Sequence, residues 1–235
     1  MSEPTYSRRS IVSGGVIAAG LTAATQSTMA FAADATRGWQ PVSEPQDAWL
    51  DKPGTRHRLV IDSANAAAAS EAVSMAETFY ASNASGYRLA PESLGVVIIL
   101  RHLATPFAYN DDIWTRFGAY FAQKLGLTGD DAIRAVHGNP LLGATTSTGG
   151  SSQPKGHHAD VPTLASLASK GARYAVCGAA TAYFARMLAT TGTTPARVER
   201  DLHDNLIPAG VLMASGIVAV NRAQEHGYAF LSAMP

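Results

Sequence analysis

A single cysteine in 235 residues, Cys177, excludes an internal disulfide and leaves no Cys-x-x-Cys pair for a metal. An excess of charge of either sign is missing too. Lys plus Arg number 18 and Asp plus Glu 18, so the chain has no net field to hold a phosphate backbone or an anionic membrane, and nucleic acid is not an expected partner. No long apolar run follows residue 32, so the mature form is not expected to be membrane-embedded. Phosphate-cradling signatures are absent: no Gly-x-Gly-x-x-Gly follows the first strand signal, and no Gly-x-x-x-x-Gly-Lys occurs anywhere. Nucleotide enzymes are therefore disfavoured, and no cofactor is expected. Ser63, Ser166 and Ser215 lack the Gly-x-Ser-x-Gly elbow, which leaves serine hydrolysis without support.

What is present begins at the amino end. Ser7-Arg8-Arg9-Ser10-Ile11-Val12, a weakly apolar stretch through Leu21, and Ala30-Phe31-Ala32 read as a twin-arginine export signal with a small-residue cleavage site over residues 1–32. The stretch is too short and too interrupted by Gly14, Gly15, Gly20 and Thr22 to span a bilayer as an anchor. The expected location is the periplasm or another exported compartment. Processing after Ala32 leaves about 200 residues, enough for one domain with its own core. Residues 33–54, punctuated by Gly38, Pro41, Pro45 and Pro53, read as a linker or strap on which Trp39 and Trp49 are available to dock.

From residue 55 onward, strand and helix signals alternate. Arg56–Asp62 is a compact strand signal, and Asn65–Tyr80 carries Ala69, Val73, Ala76 and Tyr80 at helical spacing, with Ser63 or Asn65 as cap. Leu94–Leu100 is continuously apolar, as a strand covered on both faces must be. A helix is expected over Asp111–Leu125, with Ile113, Trp114, Phe117, Tyr120, Phe121 and Leu125 inward and the acids Asp111 and Asp112 at its start. Regularity fails over residues 128–160, which read as an insertion serving as lid, oligomer contact or mobile loop. A short helix then starts near Pro162 and ends by Gly171, followed by a strand Arg173–Cys177. Helices over 179–189 and 195–203, a strand 211–214, a helix 217–226 stopped by Gly227, and a strand 228–231 complete the chain. Alternation of this kind predicts an α/β three-layer sandwich, its mostly parallel central sheet of about five strands flanked by helices on both faces.

In such sheets ligands gather beyond the carboxyl ends of the strands. Those ends are Asp62-Ser63, Arg101-His102, Cys177-Gly178 and Ser215-Gly216. Cys177 closes a strand where a helix begins, so its sulfur is placed near free backbone donors and the positive end of a helix dipole, a setting that favours thiolate or persulfide. The other reading is a small hydrophobe under the sheet. Arg101 and His102 follow the most apolar strand; they form either a pocket wall that stabilises an anion and exchanges protons, or a loop whose carbonyls they satisfy while Phe107 and Tyr109 pack. His157 and His158, with Asp160, offer metal-ligand chemistry, but adjacent histidines on an extended chain diverge, so a metal needs His102, His137 or His203 to approach in space.

Gly171-Ala172-Arg173-Tyr174-Ala175-Val176-Cys177-Gly178 resembles the cysteine-bearing strand of DsrE/DsrF-like proteins. The order from Val211 through Leu231, strand, small-residue turn, helix and Gly-Tyr strand, is similar to the end of that family, and Leu94–Leu100 to its second strand. The resemblance implies an oligomeric α/β domain over residues 55–235, in which the position of Cys177 accepts and passes on sulfane sulfur in some members. It further implies, as partners, a sulfur-donor or acceptor protein, or a small anionic ligand, and a homo-oligomer. The chain departs from the family in its export signal and in the 128–160 insertion. Two readings therefore remain open: a sulfur carrier or sulfurtransferase component using Cys177, with Arg101 and His102 as neighbours, or a non-catalytic ligand-binding, metal-binding or assembly module.

Overall fold

Leu94–Leu100 (β2) has no polar side chain, and every one of its residues is buried; the reason is its place at the centre of the sheet. The computed structural model of the chain describes residues 40–143, 162–190 and 192–234. Within them β1 (His57–Ser63), β2, β3 (Arg173–Cys177), β4 (Gly210–Met213) and β5 (Ala229–Ser232) form one five-stranded sheet in the order β4-β3-β2-β1-β5. Every pairing in it is parallel. The proposed α/β sandwich is therefore the observed architecture, with a sheet wholly parallel rather than mostly so.

The helices are α1 (Ala66–Tyr87), α2 (Asp111–Leu125), α3 (Gly129–Ala135), α4 (Leu164–Ser169), α5 (Gly178–Leu188), α6 (Pro195–Asp204) and α7 (Gly216–Glu225). A right-handed crossover returns each parallel strand over one face of the sheet, and reversing the direction of travel moves the helix to the other face. The chain steps from β1 to β4 in one direction, and the apolar sides of α1, α2, α5 and α6 share one large core with Ile61, Ile98, Tyr174 and Val176. The last connection runs back across the sheet, so Ala219 and Ala223 of α7 pack on the opposite face against Val60, Val97, Ile99 and Ala175. This second core is thin, and Leu50, fully buried, completes it.

Leu50 belongs to a 3-10 helix, Pro45–Leu50, so the carboxyl half of the expected strap is part of the compact unit that begins at Ser43. Charge holds it down. Arg222 of α7 donates to the buried Asp47 carboxylate and also pairs with Glu225. Tyr228 Oη donates to the Leu50 carbonyl at 3.0 Å, and His226 meets Asp51 at 2.8 Å. Trp49 is packed, partly buried, against the same core, whereas Trp39 and the proposed export signal lie outside the described residues.

Three local expectations are corrected. The helix after β1 does not stop at Tyr80 but continues to Tyr87, because Asn83 is buried and bonded at its side chain to Phe79 O and to His57 Nδ1. Residues 128–143 are irregular only in part: α3 starts after Thr128 with Asp130 and Asp131 in its first turn, where acids favour the helix dipole, and Ala135 seals it against the core, while 136–143 are turns without a regular element, as expected. Pro162 lies outside the helix it was expected to start. Thr163 is the cap there, in a reciprocal pair with Ser166. Residues 144–161, the rest of the insertion, are outside the described residues.

α3 lies so close to α2 that a Cβ added at Gly118 would sit 1.7 Å from the carbonyl oxygen of Ala135. Backbone cannot swing aside as a side chain does. Gly118→Ala is expected to destabilise the fold by about 1–3 kcal/mol, read as a lower denaturation midpoint in urea at unchanged m-value, despite the better helix propensity of alanine.

Candidate functional site

The reversal of the crossover direction has a geometric result: the loops after β3 and β4 leave toward opposite faces. A crevice at the carboxyl ends of such a strand pair is where open α/β sheets take ligands. Cys177 ends β3 at this point, and Met213-Ala214-Ser215-Gly216 leaves β4 beside it, with Cys177 paired to Met213 in register. The two turns are bound tightly. Ala179 N–H donates to Ala214 O at 3.1 Å, and a Cβ on Gly178 would lie 2.7 Å from Met213 O.

Cys177 is also the N-cap of α5. Its Sγ accepts from Ala180 N–H at 3.4 Å, satisfying one of the free donors of the first turn. The residue is 7 % exposed. It is buried among the hydrophobic residues of the core, with its register partner Met213 part of the α7-side cluster, so the sulfur stands at the end of an apolar sheet face with one backbone donor against it. Beneath it runs a relay of buried hydroxyls: Tyr109 Oη donates to Thr181 Oγ1 at 3.0 Å, and Thr181 Oγ1 donates to the Cys177 carbonyl at 3.1 Å. Burial raises the Tyr109 hydroxyl well above its ordinary range, and the thiol of Cys177 adds to that rise, so Tyr109 stays protonated as a donor.

Arg101 is brought to the same place. Leu100 is opposite Val176 in the β2–β3 register, so the residues next along, Arg101 and Cys177, emerge side by side at the top of neighbouring strands. Strand alternation puts both on the α7 side, with Ile99 and Ala175. The aliphatic stem of Arg101 lies across Gly216: a Cβ there would be 2.3 Å from Arg101 Cβ and 2.9 Å from its Cδ. Its guanidinium does not satisfy loop carbonyls. It donates side-on to the Asp62 carboxylate, from Nε to Oδ1 at 2.7 Å and from Nη2 to Oδ2 at 2.8 Å. Hydrogen bonding to Asp62 raises the Arg101 pKa, with smaller contributions from the charge of Asp62 and from Cys177, and Arg101 is fixed as a cation.

His102 is exposed and makes no side-chain hydrogen bond to the described residues. Its backbone is unusual, with φ at +52°, a left-handed conformation that a side chain at Cβ disfavours. The neighbouring bonds impose it: Arg101 N–H to Ser63 O at 3.1 Å, and Leu103 N–H to Ala64 O at 3.0 Å. Phe107 and Tyr109 are buried in the large core, as the packing alternative expected. The loop bearing them is riveted by Asn139, whose Nδ2 donates to both Phe107 O and Tyr109 O at 2.8 Å.

The structure thus brings Cys177 and Arg101 together, with His102 next in the chain and turned outward. His157 and His158 lie outside the described residues. Among the described residues no group of three or more His, Cys, Asp or Glu side chains is arranged to hold a metal ion, so His102 has no ligand set around it there. No helix among them is long and apolar enough to cross a membrane. Sequence reading named Asp62 only as a strand end and did not pair it with Arg101; the signal was an acid closing one buried parallel strand and a base closing the next. Thr181 was not singled out at all, because a threonine one turn into a helix has no sequence signature of its own.

Replacing Thr181 with valine keeps the shape but leaves the buried Tyr109 hydroxyl without its acceptor. Thr181→Val is expected to cost about 1–3 kcal/mol in urea denaturation, and adding Tyr109→Phe should recover part of the loss, since an apolar pair strands no donor. Equal, additive losses in the double variant would show that the hydroxyl relay carries no coupling.

No family model, no curated protein and no solved structure matches the chain, so the reading of its site rests on its own residues and geometry.

Proposed function

We propose that the protein is an exported, DsrE/DsrF-like sulfur carrier or sulfurtransferase component in which Cys177 takes up sulfane sulfur. One observation carries the reading: the chain's single thiol caps α5 at the β3–β4 divergence, accepts a backbone N–H and stands beside the guanidinium of Arg101, which is held in place by Asp62. The carboxyl ends of parallel strands are where such sheets place their reacting groups, and this is the position the thiol holds. A persulfide left on Cys177 would carry its charge on the outer sulfur.

The step balances without an oxidant. Cys177 sulfur attacks the outer sulfur of a hydropersulfide, R–S–SH; a new bond forms between Sγ and that sulfur, and the R–S to sulfur bond breaks with its electron pair leaving on R–S. The thiol proton of Cys177 ends on the departing R–SH, leaving Cys177–S–SH. Passing the sulfur on is the same reaction in reverse toward an acceptor thiol, so the natural partner is a second thiol-bearing molecule. Arg101 and its neighbour His102 are the groups available to steady and exchange charge during the transfer.

Incubation of the purified protein with a hydropersulfide donor is expected to add one sulfur atom by intact mass, with no addition to Cys177→Ser. Arg101→Gln should retain the addition but slow it by about tenfold, because it leaves the Asp62 carboxylate uncompensated near a sulfur that must carry negative charge. An unmodified wild-type mass under these conditions would remove the reading.

The export assignment rests on Arg8 and Arg9 within the amino-terminal motif. Replacing both with lysine preserves charge and removes the paired guanidinium signal, so the full-length protein is expected to remain unprocessed in the cytoplasmic fraction of an expressing bacterium. Unchanged processing of that variant would argue against a twin-arginine route.

A further inference from the structure

Two of the three guanidinium nitrogens of Arg101 are taken by Asp62, in a side-on fork at 2.7 and 2.8 Å. The carboxylate is the inner partner: the Asp62 side chain is 9 % exposed and that of Arg101 32 %. The third nitrogen, Nη1, makes no hydrogen bond to the described residues. Neither group can drift from the other, because Gly216 fixes the arginine stem and Asp62 is held at its backbone by Ala233 N–H, which donates to its carbonyl at 2.9 Å. What stands beside Cys177 is therefore not a free positive charge. It is a neutral pair presenting N–H donors to the outside.

That difference selects among sulfur donors. A hydropersulfide reacts as a neutral or singly charged species and departs as a thiol. Thiosulfate arrives with two negative charges: Cys177 sulfur would attack its terminal sulfur, the sulfur–sulfur bond would break, and the electron pair would leave on sulfite, again doubly charged. Without net positive charge at the site, both the approach of that dianion to a thiolate and the growth of the sulfite leaving group are opposed.

We propose that Asp62 is a specificity-determining positioning residue: by neutralising Arg101 while holding it beside Cys177, it fits the site to hydropersulfide-type donors and against doubly charged oxyanion donors such as thiosulfate. The proposal builds on the sulfur-transfer reading, but the charge assignment within it is open to a test that uses no sulfur donor.

The full chain is alkylated with iodoacetamide, which is neutral, and with iodoacetate, which is an anion of similar size; both report on the same sulfur. The ratio of the iodoacetate rate to the iodoacetamide rate is expected to rise on the order of tenfold in Asp62→Asn, which strips the countercharge from Arg101. In wild type the ratio should be nearly flat between low salt and about 0.5 M salt, whereas in Asp62→Asn it should fall as salt screens the exposed charge. The wild-type salt series needs no variant to fold. With sulfur donors, wild type should take sulfur from a hydropersulfide and not from thiosulfate, and Asp62→Asn should gain thiosulfate reactivity.

An unchanged alkylation ratio in a folded Asp62→Asn, or a wild-type ratio that falls steeply with salt, overturns the proposal while leaving sulfur transfer standing. Equal sulfuration of wild type by both donors overturns it too. A ratio that responds as expected with no adduct from either donor upholds the charge assignment and removes the sulfur-transfer reading. Lack of reaction with either alkylating reagent in the native fold overturns both, since neither has an entrance to use.

Discussion

The direction in which parallel strands are crossed is the constraint on which this molecule depends. Three successive steps from β1 to β4 load their helices on one face, and the single return to β5 must load the other. The unequal cores follow from that asymmetry. Among the described residues, one face holds α1, α2, α5 and α6 over a cluster of aromatic rings, while the other has α7 as its one α-helix and needs the Pro45–Leu50 turn to finish covering Val60, Val97 and Ile99. The Asp47–Arg222 pair is then understandable as the bond that keeps the short cover in place. The same reversal parts the loops after β3 and β4, and so the position of Cys177 is a product of topology rather than of local sequence alone.

Small residues turn that position into a defined site. Gly178 lets the start of α5 pass against the carbonyl of Met213, and Gly216 lets the arginine stem cross the start of α7. Both tolerate contacts that any Cβ would forbid, and they bring β2, β3 and β4 to one locus. Cys177 contributes the cap of α5, Arg101 the charge, and Asp62 the counterweight. The hydroxyls of Tyr109 and Thr181 support the Cys177 backbone from below, so the thiol is fixed by its main chain as well as by its own contact to Ala180.

Much of the sheet was legible because burial on both faces leaves a strong compositional mark. Leu94–Leu100 carries that mark along its whole length and Arg173–Cys177 from Tyr174 onward, and their limits agree with the observed strands to the residue. The Ala69, Val73, Ala76 and Tyr80 stripe was equally readable, since all four residues are buried, whereas the cap was open between Ser63 and Asn65 and the structure uses Asn65. Polar composition misled over 129–135, where a two-turn helix depends on Gly118 of the preceding helix for the space it fills. The pairing of Asp62 with Arg101 was hidden for a related reason: strand ends could be found by pattern, but which strand lies next to which, and on which face each end side chain emerges, is a property of the assembled sheet.

The ion pair also bears on why the site is stable in the first place. A carboxylate as buried as Asp62 is costly to leave unpaired, and breaking such a pair by removing one partner ordinarily costs more than the pair itself contributes. Arg101 is therefore required by Asp62 before any chemistry is considered, and two apolar residues would have served packing at least as well. What the polar pair adds is a fixed direction: a forked guanidinium, gripped along one edge and pressed on Gly216 along its stem, has a single orientation left. The cost of burying Asp62 is in this sense the cost of a guanidinium with a fixed place, and it falls next to the point of the fold where the loops after β3 and β4 diverge.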